Sequence, residues 1–136
     1  MDYNILEQWL KKDEGFDKFP VKDTVGKWTL GHGRNIQDCG ISADEAELML
    51  KNDIKKCEQE LSQYDWYNIS PDNVKMALIN MCFMGIEKLL GFKKMIQALE
   101  QKNYTLASIE CLNSQWAKQV GKGRSNEVAV MIREGL

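Results

Sequence analysis

The chain has 136 residues, of which 43% are hydrophobic and 28% charged, with a formal net charge of −2. That length and balance fit one globular domain able to bury a core. They argue against a nucleic-acid binder, which calls for a basic face, and no apolar run approaches the roughly 20 residues of a membrane span.

The N-terminal stretch MDYNILEQWLKKDEG lacks the basic start and continuous apolar segment of a signal peptide. It reads as an amphipathic helix over residues 3–14. Ile5, Leu6, Trp9 and Leu10 form a stripe expected to face a core, and Gly15 supplies the stop. Residues 16–33 follow as a small hairpin region, with turns at Pro20 and at residues 24–27. Trp28 and Leu30, alternating with Thr29 and Gly31, read as a short strand.

This region carries the densest chemistry. Glu14 ends the first helix, Asp23 follows nine residues later, and Thr29 six after that. Cleaving a glycosidic bond needs a carboxylic acid that keeps its proton and a second carboxylate across the sugar, about 6.5–9.5 Å away when a water must fit between them. The negative end of a helix dipole disfavours a carboxylate, which suits Glu14 as the acid. Backbone and hydroxyl donors in the turn beside Thr24 would keep Asp23 ionised, and the Thr29 hydroxyl could hold a water between the two. The bland alternative is that Glu14 is a surface residue and Asp23 only shapes a turn.

Further along, Ser42 and Glu45 form an S-x-x-E capping box that opens a helix of about twenty residues ending at Leu61. Ala46, Met49, Leu50, Ile54, Cys57 and Leu61 line its apolar face, and Asp53 neighbours that face. Residues 64–69 read as a connection. Ser70 as N-cap and Pro71 as first helical residue start the next helix, to about residue 84, which is apolar on nearly all sides and so expected to be buried all round. Shorter helices are predicted at 87–90, 92–101 and 104–112. Gly121 and Gly123 read as loop signals before a last helix over 125–134.

The four cysteines, Cys39, Cys57, Cys82 and Cys111, have no compact metal spacing and are expected to be reduced. His32, the single histidine, sits in a Gly-rich turn and reads as structural or exposed, since no Cys or Ser arrangement makes it a nucleophile's base. No metal or other cofactor is expected.

Several motifs together resemble phage-type lysozymes, glycoside hydrolase family 24. They are DEG at 13–15, KDT-x-G at 22–26, W-T-x-G-x-G at 28–33, GIS-x-DEAE-x-x-L-x-x-D at 40–53, NM-x-F at 80–83, GF at 91–92 and R-x8-R-x-G at 124–135. The resemblance covers nearly the whole chain. It implies an α+β, mostly helical, two-lobed fold. A small hairpin lobe (about 15–50) and a helical lobe (1–14 and 60–136) would be joined by the long helix, with a substrate cleft between them.

The activity implied is a muramidase (endolysin) cutting the β-1,4 bond between N-acetylmuramic acid and N-acetylglucosamine in peptidoglycan. Glu14 would protonate the leaving oxygen, Asp23 would stabilise developing positive charge and help activate the water, and Thr29 would position it. Asn80 and Phe83 are the implied substrate-facing residues. Arg124 aligns with a family arginine beside the acid, and Arg34 with a basic residue that pairs with Asp53, so an Arg34–Asp53 ion pair is expected. With no signal peptide and no apolar span legible, the chain is expected to be held in the cytoplasm before release, as a monomer not inserted in membrane. If phage-encoded, it would need a holin to reach the wall. Two other readings stay open: a lytic transglycosylase closing an anhydro ring, and a catalytically silent module that binds peptidoglycan or a protein.

Overall fold

In a computed structural model of the chain, residues 1–134 are described; Gly135, which ends the C-terminal motif, lies outside them. The chain divides into two compact units, residues 1–48 and residues from 49 on. The architecture is the expected α+β, mostly helical one, with ten helices and three strands among the described residues.

The first unit opens with α1 (Tyr3–Glu14). The Asp2 carboxylate accepts from the Ile5 N–H at 3.1 Å, satisfying one of the free donors of the first turn. Gly15 ends the helix with φ 70°, and its N–H donates to the Lys11 carbonyl at 2.9 Å. Strands β1 (Asp17–Lys22), β2 (Trp28–Gly31) and β3 (Arg34–Asn35) then form an antiparallel meander in the order β1-β2-β3. Lys22 faces Trp28 and Val21 faces Thr29, but the next pair is Asp17 with Gly31, so β1 bulges between Asp17 and Val21. Pro20 lies within that bulge on an outer strand, where a missing N–H is tolerated.

Helix α2 (Ile36–Cys39), not anticipated from the sequence, is capped by Asn35, whose side chain accepts from the Asp38 N–H at 3.0 Å. Helix α3 (Ala43–Leu61) begins at the expected capping box. The Glu45 N–H donates to Ser42 Oγ at 3.2 Å, and the Ser42 N–H donates to Glu45 Oε1 at 2.8 Å. The α1 stripe is not the core it was expected to be. Leu6 is half-buried, while Ile5, Trp9 and Leu10 are exposed. Strands of six, four and two residues are too small to cover a twelve-residue helix.

The second unit holds the core. Leu61, Val74, Leu78, Met81, Leu89, Met95, Leu99, Cys111 and Ile132 are all fully buried. They come from the end of α3 and from α5 (Asp72–Cys82), α6 (Ile86–Leu90), α7 (Lys93–Glu100), α8 (Tyr104–Leu112) and α10 (Lys122–Glu134). Helix α10 packs on α8 and α5, and α7 on α8.

Several local expectations change here. Residues 64–69 contain a short helix, α4 (Asp65–Asn68), and residues 115–120 another, α9 (Gln115–Val120). Ser70 does not cap α5: its buried hydroxyl donates back to the Trp66 carbonyl at 2.7 Å, and the N-cap position falls to Pro71. Helix α5 buries one face, Val74, Ala77, Leu78 and Met81, at i, i+3, i+4, i+7 spacing, while Met76 is exposed. Gly121, with φ 84°, separates α9 from α10, but Gly123 lies inside α10. All four cysteines are free thiols; burial pushes those of Cys82 and Cys111 up to about 12. Among the described residues no helix is long and apolar enough to cross a membrane.

Candidate active site

Glu14 is the last residue of α1. Its side chain lies against the turn that joins β2 to β3, residues 31–33. Gly31 and Gly33 both adopt positive φ there, 68° and 72°. A Cβ on Gly33 would stand 2.5 Å from Glu14 Oε2 and 2.8 Å from its carboxyl carbon, so the carboxylate occupies the space that any other residue's side chain would fill.

Asp23 organises the turn between β1 and β2. Its N–H donates to the Lys27 carbonyl at 2.8 Å, and its Oδ1 accepts from the N–H groups of Val25 at 3.0 Å and Lys27 at 2.8 Å. The turn-shaping role is therefore real, and both bonds fall on one carboxylate oxygen. Thr29, half-buried in β2, donates its hydroxyl to the Lys27 carbonyl at 3.2 Å. The strand register fixes the order of the three residues. Glu14 stands at the β2–β3 turn, Asp23 at the β1–β2 turn, and Thr29 on the strand between. Neighbouring polar contacts stiffen this frame. The Trp28 N–H donates to Gln37 Oε1 at 3.2 Å, and Lys27 Nζ lies 3.3 Å from Asp38 Oδ1.

Arg34 corrects an expectation. Its guanidinium pairs with Glu45, not with Asp53, and reaches the Gly40 carbonyl at 3.4 Å. Asp53 lies eight residues further along α3, about 12 Å of helix. The short α2 brings β3 to the N-terminal end of α3, where Ser42 already holds Glu45. The hydrogen bond from Arg34, then those from Ser42, hold the Glu45 carboxyl well below the ordinary range, at about 2. The same partner raises the Arg34 guanidinium.

In the second unit, Arg124 occupies the first turn of α10. It donates from Nε to Asn80 Oδ1 and from Nη2 to the Asn80 carbonyl, both at 3.0 Å, and its guanidinium carbon stands 5.9 Å from the Trp116 ring centroid. Asn80, Phe83 and Arg124 line a recess of about 410 Å³ floored by Ile54, Met76 and Ile79. Phe83 is 45% exposed, so its ring belongs to the surface of this unit and not to its core. Asp53 lies in a second recess, about 550 Å³, which shares Phe83 with the first.

Sequence reasoning proposed Glu14, Asp23 and Thr29, set Asn80 and Phe83 facing substrate and Arg124 beside the acid, did not foresee the bonds from Arg124 to Asn80, and misassigned the partner of Arg34. It set aside His32 and took no account of Gly33. The one available signal was a polar ring flanked by two glycines in GHG. Among the described residues no group of three or more His, Cys, Asp or Glu side chains is placed to hold a metal ion.

A family model described as phage lysozyme matches residues 11–133. Two curated proteins of Dictyostelium discoideum are similar over most of their lengths. One, called probable T4-type lysozyme 2, is 32% identical, with 96% of this chain and 94% of that protein covered. The other, probable T4-type lysozyme 1, is 29% identical over the same shares.

Proposed function

The chain belongs to the phage lysozyme family and is a lysozyme-type glycoside hydrolase of peptidoglycan, and from that premise we propose that it cuts the β-1,4 bond between N-acetylmuramic acid and N-acetylglucosamine with Glu14 as proton donor. In this reading Glu14 protonates the leaving oxygen while positive charge builds at the anomeric carbon. Asp23 faces that charge and, with the Thr29 hydroxyl, orients the water that completes hydrolysis. Asn80 hydrogen-bonds sugar and Phe83 stacks on it. Arg124 acts indirectly, through its bonds to the Asn80 side-chain oxygen and to the Asn80 backbone carbonyl.

The observation that carries this reading is the order of the three residues along one small sheet and the helix end packed on its turn. A carboxyl group stands at each of two successive turns, and a hydroxyl lies on the strand between them. A hydrolytic site needs two carboxylates separated by room for a water, and a hydroxyl at that position is suited to hold one.

The test is the product. Purified peptidoglycan is digested with the parent and with Glu14→Gln, and the released muropeptides are identified by mass. Hydrated reducing-end muropeptides from the parent alone are expected. Anhydro ends from the parent would reassign the reaction to transglycosylation. Equal release by both proteins would remove Glu14 from the acid role.

A further inference from the structure

The turn against which Glu14 rests does more than reverse the chain. We propose that His32 and Gly33 are positioning residues for Glu14: the His32 imidazole anchors the backbone next to Glu14, and the bare Cα of Gly33 is the seat of its carboxylate. The proposal rests on Glu14 being the proton donor, as set out above.

Two contacts from consecutive turn residues act on Glu14, one through the residue that follows it and one through its side chain. The first is made to the backbone. Gly15, the residue after Glu14, leaves the helix with φ 70° and ψ −161°, and its carbonyl meets His32 Nδ1 at 2.6 Å. A carbonyl only accepts, so Nδ1 carries the proton; the Nδ1–H neutral tautomer and the imidazolium both supply it. The Phe16 ring stands 5.5 Å from the imidazole, tilted by 46°, and supports it from the side. Fixing the Gly15 carbonyl fixes the Gly15–Phe16 peptide, the second one after Glu14, and so the path by which the chain leaves the helix end.

The second contact is made to the side chain. The van der Waals space that a Cβ on Gly33 would take is filled by Glu14 Oε2, Cδ and Cγ. Positive φ alone would account for a glycine at that position, and Gly31 provides the comparison. Its φ is 68° against 72° for Gly33, yet a Cβ on Gly31 would meet nothing within 4 Å. The two glycines share a backbone requirement, and only one of them also makes room for the acid. Moving a reacting group by about 1 Å costs on the order of 100-fold in rate, so this seat should be felt in kcat.

The experiment compares Gly33→Ala, Gly31→Ala, His32→Ala, His32→Asn and Glu14→Gln with the parent, measuring kcat and KM on purified peptidoglycan and Tm for each. Gly33→Ala should lower kcat about 100-fold with KM within about twofold. Gly31→Ala, with the same backbone strain and a similar loss of Tm, should keep kcat within about threefold. His32→Ala should lower kcat about tenfold, and His32→Asn should recover most of it, because the asparagine amide nitrogen is attached at the same branch point as Nδ1 and can donate to Gly15.

Equal losses in Gly33→Ala and Gly31→Ala would reduce the turn to backbone strain and overturn the role of Gly33. His32→Asn no better than His32→Ala would overturn the anchor. If Glu14→Gln turns over as fast as the parent, the proton-donor reading has failed instead. Should the parent itself release nothing, crystal structures of the two alanine variants still decide the seat. A Glu14 carboxylate displaced only in Gly33→Ala supports it; one unmoved in both removes it.

Discussion

The two units keep their shapes by different means. Among the described residues every buried side chain lies at Cys57 or beyond, whereas in residues 1–48 none is buried. The second unit is ordered by apolar packing of α5, α7, α8 and α10. The first is ordered by directional polar contacts: the Asp2 and Asn35 caps, the Ser42–Glu45 capping box, the Asp23 turn, the Arg34–Glu45 pair and glycines at positive φ. Each hydrogen bond of that kind stabilises by only about 1 kcal/mol, but each fixes an angle as well as a distance. A reacting carboxylate needs direction more than burial, and the candidate acid stands where direction is supplied. The contrast teaches that substitutions at the candidate acid and its seat should move rate more than stability, that substitutions in the core of the second unit should do the reverse, and that a lost polar contact elsewhere in the first unit should cost only a little stability.

Four measurements break or sharpen that contrast. Glu14→Gln is expected to lower turnover by about 10²–10⁴-fold, the usual contribution of a positioned proton donor, with Tm nearly unchanged. A large fall in Tm would show that Glu14 is part of the scaffold. Leu78→Ala, at a position with no exposure, should lower unfolding free energy by about 2–5 kcal/mol in urea titration while kcat at 25 °C stays close to parental; a lost kcat in still-folded protein would merge the two roles. Ser42→Ala removes a cap and should cost about 1 kcal/mol, visible as faster amide exchange at the start of α3 with slow exchange retained in α5. The smallest effect is electrostatic. The Glu45 carboxyl lies at about 2 in the folded chain against an ordinary 4.5. The lowered value means its contribution is full above about pH 4.5 and fades as pH falls towards 2. Glu45→Gln should therefore narrow the Tm difference from the parent over that window. The shift should be small and should shrink in 1 M salt, because both partners are exposed.

How much of this was legible in the sequence depended on range. Features set by neighbours three or four residues apart were read correctly: Glu14 followed by a terminating Gly15, the Ser42–Glu45 box, and α8 at Tyr104–Leu112. Features that depend on where two elements meet were not. Arg34 has carboxylates at both Glu45 and Asp53 on the same helix, and only the path of α2 selects Glu45. Ser70 beside Pro71 has the composition of a helix start, yet a carbonyl four residues back captures its hydroxyl. The uniformly apolar sequence of α5 concealed that it buries one face and leaves Met76 uncovered. At the site, the residue types, their spacing and the family resemblance proposed Glu14, Asp23 and Thr29. The nearness of Gly33 to Glu14, nineteen positions away in the chain, becomes visible only once the turn is folded.

The bulge in β1 has a consequence for a cell that makes much of this protein. A bare outer strand is a template on which another copy can add a strand, and repetition of that step seeds fibrils. Here the outer strand is broken between Asp17 and Val21, lacks one amide proton at Pro20, and carries Lys18 and Lys22 along its length. A strand added to it would find its ladder out of step and like charges facing it. The β1 edge of the small sheet is thereby a poor seed for strand addition.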